Sequence, residues 1–258
     1  MDLLDLWGVG LIAMYAVLTY VGPRVLSRPR LLFRFPQLAL TLWTGALIIA
    51  TVSLTLALGL LISQALSHHV EHQTGHSADS ALIDSLMGWL AVAVLGVLAF
   101  RIGAAGAEQR SSARTAIADI TRSLGRADIL MTPEATVWMV ESAVPIVAVV
   151  PAPHRVFVTT AVRDALDEEA FRAVVAHEAA HIRLHHIGLR TLTRLAEATA
   201  AGFRASRDYA QVVRIGTELI ADDWAADRVG RFAVARALRA LYPEVSGVAE
   251  RITRLESR

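Results

Sequence analysis

Five residues in the middle of the chain carry the types and spacing for metal chemistry: His177, Glu178, Ala179, Ala180 and His181. On a helix, residues four apart share one face, so the two imidazoles can grip one ion together. Glu178 sits beside the first of them, where it can take a proton from a water activated by that ion. This H-E-x-x-H arrangement suits zinc, which accepts nitrogen and oxygen ligands and makes water acidic. A catalytic site of this kind needs a third ligand, and the chain offers one. Glu218 lies in the helical stretch Glu218-Leu219-Ile220-Ala221-Asp222-Asp223-Trp224. With it the set becomes His177, His181 and Glu218, leaving a fourth position of one Zn2+ for water. Asp222 follows one turn later on the same face. A carboxylate there can accept the free ring N–H of a ligating histidine and fix its tautomer.

These residues must sit on rigid elements, and the neighbouring sequence provides them. Asp167, Glu168 and Glu169 supply a cap and an acidic first turn for the helix carrying His177. Gly230 stands where the helix carrying Glu218 should stop. Asp223 and Asp227 read as a solvent face of that second helix. His185 continues the ligand face of the first helix by another turn, as a supporting or surface residue, and His154 reads as surface. Upstream, short β-branched runs at 129–131, 136–140, 146–150 and 156–160 are punctuated by Pro133, Pro145, Pro151 and Pro153. They predict a small, mostly antiparallel sheet. Its last strand, with Val156, Phe157, Val158 and Thr159, is expected to be an edge along which an extended peptide substrate could lie.

The first hundred residues are of another kind. The 258-residue chain is 54% hydrophobic with a net charge of +1, and its mean hydropathy of +0.46 exceeds that of an ordinary soluble protein. The excess lies almost wholly before residue 103. Runs at about 3–21, 38–66 and 82–100 are long enough to cross a bilayer. Asp2 and Asp5 precede or begin the first run and no arginine does, so it is expected to be retained as a membrane helix. Residues 22–36, with Pro23, Pro29, Pro36 and Arg24, Arg28, Arg30 and Arg34, read as a short polar loop. Residues 104–125 read as a short amphipathic helix leading off the third span. Trp43 and Trp89 read as interfacial anchors. Arginine sets the orientation. It fills the first loop and the stretch after residue 101, and is missing from 67–80. This predicts a multi-pass plasma-membrane protein with its N-terminus outside and everything after the third span in the cytoplasm. The polar 190–215 stretch adds no fourth span.

That outer stretch holds His68, His69, His72 and His76, four of the nine histidines. It reads first as a solvated polar loop, and more sharply as a weak metal or pH sensor. The near-neutral charge gives no reason to expect nucleic acid. The chain has no cysteine, which excludes disulfides and thiolate ligands. It contains no lysine either, a bias we attribute to genome composition.

The sequences AHEAAHIRLHH and ELIADDWAADRVG, after apolar spans and a short strand set, resemble those of BlaR/MecR-type antirepressor membrane peptidases of the gluzincin type. HtpX-like membrane proteases share the same ligand logic. The specific likeness covers residues 155–230. It implies an α+β membrane protein: a transmembrane region, 1–103, followed by a cytoplasmic gluzincin-like zinc peptidase domain, 104–258, built of a small β-sheet plus helices. It further implies His177, His181 and Glu218 as zinc ligands, Glu178 as catalytic base and Asp222 as supporting carboxylate. The implied role is signalling, by cleavage of a cytoplasmic repressor, such as a winged-helix protein, or of the chain itself. Departures from the pattern are a missing penicillin-binding sensor and Ser-x-x-Lys nucleophile, so beta-lactam sensing by this chain alone is not expected. The rivals are an HtpX-like quality-control protease and a membrane sensor or scaffold with a structural zinc site. A transporter is disfavoured because the spans carry almost no buried charge.

Overall fold

A computed structural model describes residues 3–71, 78–123, 127–150, 155–199 and 204–257. Packing divides them into two units. One comprises Met1–Leu31, Leu38–Glu108 and Thr193–Gln211, the other Leu32–Gln37, Gln109–Leu192 and Val212–Arg258, each taken over its described residues. A single cut at residue 103 does not reproduce this division, because the stretch around Tyr209 packs with the apolar helices.

The first unit is helical. Helix α1 (Leu3–Ala16) passes through a π-helical turn (Val17–Val21) into α2 (Gly22–Leu26). After α3 (Pro29–Arg34) come two long rods, α4 (Pro36–Glu71) and α5 (Ala78–Ser123). By length and composition three stretches can cross a membrane: Leu6–Leu26, Pro36–Ser67 and Ser85–Glu108. Gly88 on α5 lies so close to α4 that a Cβ added there would overlap that of Ala65, a small-residue approach of the kind membrane helices use. Trp43 on α4 is buried, its ring 6.0 Å from that of the fully buried Tyr209. Trp89 remains exposed.

Two expectations for this region are corrected. Residues 22–36 are mostly helical: Pro29 and Pro36 open their helices, where a missing N–H costs nothing, and Pro23 follows directly on the π-helical turn. The third span and the 104–123 helix form one continuous α5, since the Ala-rich junction contains no proline to break it.

The second unit holds a four-stranded sheet of β1 (Ala127–Met131), β2 (Thr136–Val140), β3 (Val147–Val150) and β4 (Arg155–Thr159), in the order β1-β2-β4-β3. Two pairings are antiparallel and β2–β4 is parallel. The four sequence runs are therefore strands. The expectation that the last is an edge is overturned: β4 has β2 on one side and β3 on the other. Val156, Phe157, Val158 and Thr159 are buried, and the Thr159 hydroxyl accepts from Ile146 N (3.0 Å) and donates to the Val144 carbonyl (2.9 Å). Such an apolar run, buried on both faces, belongs inside a sheet. The edges are β1 and β3.

Helix α6 (Thr160–Asp164) follows, then α7 (Glu168–Arg183), α8 (His186–Thr199), α9 (Arg204–Val229), α10 (Arg231–Leu241) and α11 (Val248–Glu256). Phe171, Val174 and Val175 of α7 pack on Val137, Val156 and Val158 of the sheet. Ala173 and Ala176 of α7 face Ala225 of α9, Ala233 and Leu238 of α10, and Val248 and Leu255 of α11. Alanine on both sides of this second layer lets the helices approach closely, and so positions α9 against α7. Segment Leu32–Gln37 belongs to this unit: Leu32 is buried, and the buried Arg254 of α11 donates to the Phe33 carbonyl at 2.8 Å.

Candidate metal centre

Helix α7 begins as its sequence predicts, with the Asp167 carboxylate accepting from Ala170 N at 2.7 Å. Its two buried faces leave one strip, which holds His177 and His181. The helix ends where His185 turns into the left-handed region, φ 55°, one of the few side chains that enter it readily. The reversal starts α8 at His186 and folds that residue back under His181. His185 is thus an exposed turn residue, and the supporting histidine is His186, 2% exposed.

Helix α9 buries Thr217, Leu219, Ile220 and Ala221, which places Glu218 and Asp222, one turn apart, against α7. Ligand atoms of His177, His181 and Glu218 all lie within 4.8 Å of one another. The nearest approaches are His177 Nε2 to His181 Nε2 at 3.2 Å, His177 Nε2 to Glu218 Oε2 at 3.4 Å and His181 Nε2 to Glu218 Oε1 at 3.6 Å. Ligands of one tetrahedral zinc, each about 2.0–2.2 Å from the ion, stand about 3.3–3.5 Å apart. The donor set and its spacing fit zinc.

Both imidazoles are oriented from behind. His177 Nδ1 donates to Asp222 Oδ1 at 3.0 Å, and His181 Nδ1 lies 2.9 Å from His186 Nδ1. With Nε2 turned to an ion, each ligand carries its proton on Nδ1, so His186 accepts through Nδ1. Asp222 is fully buried and held by Arg251, whose Nε and Nη2 both donate to it at 2.7 Å. Arg251 Nη1 also lies 3.2 Å from Glu218 Oε2, and Arg190 Nη2 donates to Glu218 Oε1 at 2.8 Å. Next along α9, Asp223 takes a two-pronged contact from Arg254 (2.7 and 2.6 Å). It is therefore not a solvent-facing residue, while Asp227 is exposed.

The charges are strongly polarised. Burial opposes a charge on His177, but its hydrogen bonds to Asp222 and Glu218 outweigh it and push its pKa up to about 10. Burial, aided by the positive His177, pulls His181 down to about 3. Burial and nearby Arg190 pull His186 down to about 4. Burial works against ionised Glu218 and Asp222, yet His177 and Arg251 hold both below the usual carboxylate range. Glu178 goes the other way: burial lifts it above its ordinary value despite the attraction of His177. Tyr242, at the end of α10, is likewise raised, by burial and by the Glu178 and Glu218 charges, and stays a protonated O–H.

Arg251, Arg190 and His186 were not foreseen. Arg251 lies far along the chain in no recognisable pattern, and the pair His185-His186 differs only in which residue makes the turn. Of the four clustered histidines, His68 and His69 fall at the end of α4, and His72 and His76, like His154, lie outside the described residues.

Residues 148–242 match the family described as Peptidase family M48. The matched segment contains His177, Glu178, His181, Glu218 and Asp222. It supports a zinc-dependent metallopeptidase class for this chain, in agreement with the donor set. No curated protein and no solved structure matches the chain.

Proposed function

We propose that this chain is a membrane-anchored zinc endopeptidase that cuts a protein substrate on the cytoplasmic side. The observation that carries the reading is the set of three donor atoms, 3.2–3.6 Å apart on α7 and α9. His177, His181 and Glu218 would hold the ion. Bound there, zinc supplies Lewis acidity, making water acidic near neutral pH and polarising the scissile carbonyl. Glu178 takes the proton of the attacking water and passes it to the leaving amine. Its raised pKa suits both halves of that transfer, since a base poised nearer neutrality also returns the proton. Asp222 and His186 hold the imidazoles in the tautomer that presents Nε2, and Arg190 and Arg251 keep Glu218 ionised.

Edge strand β3 packs beside α7 through Val147. An extended substrate adding to that edge would satisfy its backbone before the cut. The three apolar helices support the bilayer as a partner, and the arginine distribution favours an external N-terminus. The signalling role, cleavage of a winged-helix repressor or of the chain itself, rests on the sequence resemblance.

Substitution of Glu178 by Gln tests the reading. The variant should keep its metal and lose all proteolysis, and cleavage by it would sink the assignment. Comparing cellular proteins cut by wild type and by Glu178→Gln then decides the role. One repressor cut by wild type alone supports signalling. A broad set of damaged membrane proteins supports the quality-control alternative.

A further inference from the structure

The two carboxylates that α9 contributes are gripped by one guanidinium. Arg251 is 13% exposed in its side chain, gives two bonds of 2.7 Å to Asp222 and approaches Glu218 Oε2 at 3.2 Å. Its helix, α11, lies beyond the segment matched to the peptidase family, which ends at residue 242. We infer that Arg251 is a positioning residue of the metal centre, fixing the third ligand Glu218 directly and the first ligand His177 through Asp222. The inference rests on the metal-centre reading and adds a part to it.

A planar guanidinium suits the task. Its donors form a rigid fork, so Asp222 is held in one plane, the plane that decides where the Nδ1–H of His177 points. The remaining Nη1 engages one oxygen of Glu218. An ion bound by the two histidines and Glu218 therefore meets a ligand set whose spacing is fixed beforehand. Asp222, fully buried and facing His177, needs such a partner, since a buried carboxylate left half paired is costly. Lysine at this position would keep the charge and lose the fork.

The test uses the full-length protein in lipid nanodiscs, stripped of metal and titrated with Co2+. The visible absorption of Co2+ reports the geometry of its ligands directly. Wild type should give a tetrahedral-type spectrum and His177→Ala none. For Arg251→Gln and Arg251→Lys we expect Co2+ affinity about 10–100-fold lower, the range for losing support behind a ligand, and an altered spectrum. The control Arg239→Lys, an exposed residue of α10 that pairs with Glu256 and touches neither metal carboxylate, should keep the wild-type spectrum. Wild-type affinity and spectrum in a folded Arg251→Gln would overturn the inference while leaving the metal centre standing. If Arg251→Gln fails to fold, Arg251→Lys decides by the same two readouts. A wild-type protein that binds no Co2+ would overturn the metal centre itself, and this inference with it.

Discussion

His177 and His181 are one turn apart and chemically equivalent in sequence, yet the fold makes them opposites. His177 faces two carboxylates and keeps a proton to about pH 10; His181 faces His186 and stays neutral down to about pH 3. A ligand must be deprotonated to bind metal. At pH 7.5 uptake of Zn2+ by the metal-free protein should therefore release about one proton, from His177, and the affinity should climb about tenfold per pH unit toward pH 10. Calorimetric titration in two buffers of different ionisation enthalpy measures that proton. The stability sign follows: a pKa raised from 6.5 favours the folded metal-free state fully below about 6.5, and the gain fades as pH rises toward 10. The next histidines also divide. His185→Gly should change stability by no more than about 1 kcal/mol, because glycine takes a left-handed φ at no cost. His186→Ala should weaken zinc binding by about 10–100-fold, measured by chelator competition. The H-E-x-x-H spacing made His177, Glu178 and His181 candidates, Glu218 joined them as a carboxylate on a later helix, and the structure brings the donor atoms of His177, His181 and Glu218 together. Spacing could not reveal His186, because a left-handed turn at His185 shifts the supporting role by one residue.

At the level of elements, α7 is held between a β-branched layer and an alanine layer, and the second sets the reach of Glu218 and Asp222. Enlarging it should be felt at the site. Ala176→Leu or Ala225→Leu should cost about 1–3 kcal/mol by overpacking and should weaken metal binding as α9 is pushed away. Thermal melting and metal titration of the same samples check this. All four strands could be read from their β-branched runs, and the α7 cap from Asp167. Strand order could not. Pairing between strands far apart in sequence leaves no local trace, so the inner place of β4 emerged only from its neighbours on both sides. The prolines misled in the same way: the rule that they break helices is true of α-helical interiors, and here Pro29 and Pro36 open helices while Pro23 follows a π-helical turn.

On the scale of the whole molecule, hydropathy showed three stretches able to span a bilayer, while the packing boundary escaped it, because Tyr209 joins the apolar helices from a polar stretch. The orientation argued from arginine can be tested directly, since the natural chain has no cysteine. A single Ser67→Cys should react with a membrane-impermeant maleimide added to intact cells, and a single Ser257→Cys should react only after lysis. One further property arises where α9 meets α11. Neighbours Asp222 and Asp223 receive forks from Arg251 and Arg254, which stand three residues apart. The two forks act as two teeth of a key. Because both are planar forks, a slide of α11 along α9 would strain the two ion pairs together. Arg254 also holds the Phe33 carbonyl, just ahead of the long α4 rod. The seam is thus held at two adjacent points, and one of its residues, Arg251, clasps both Glu218 and Asp222.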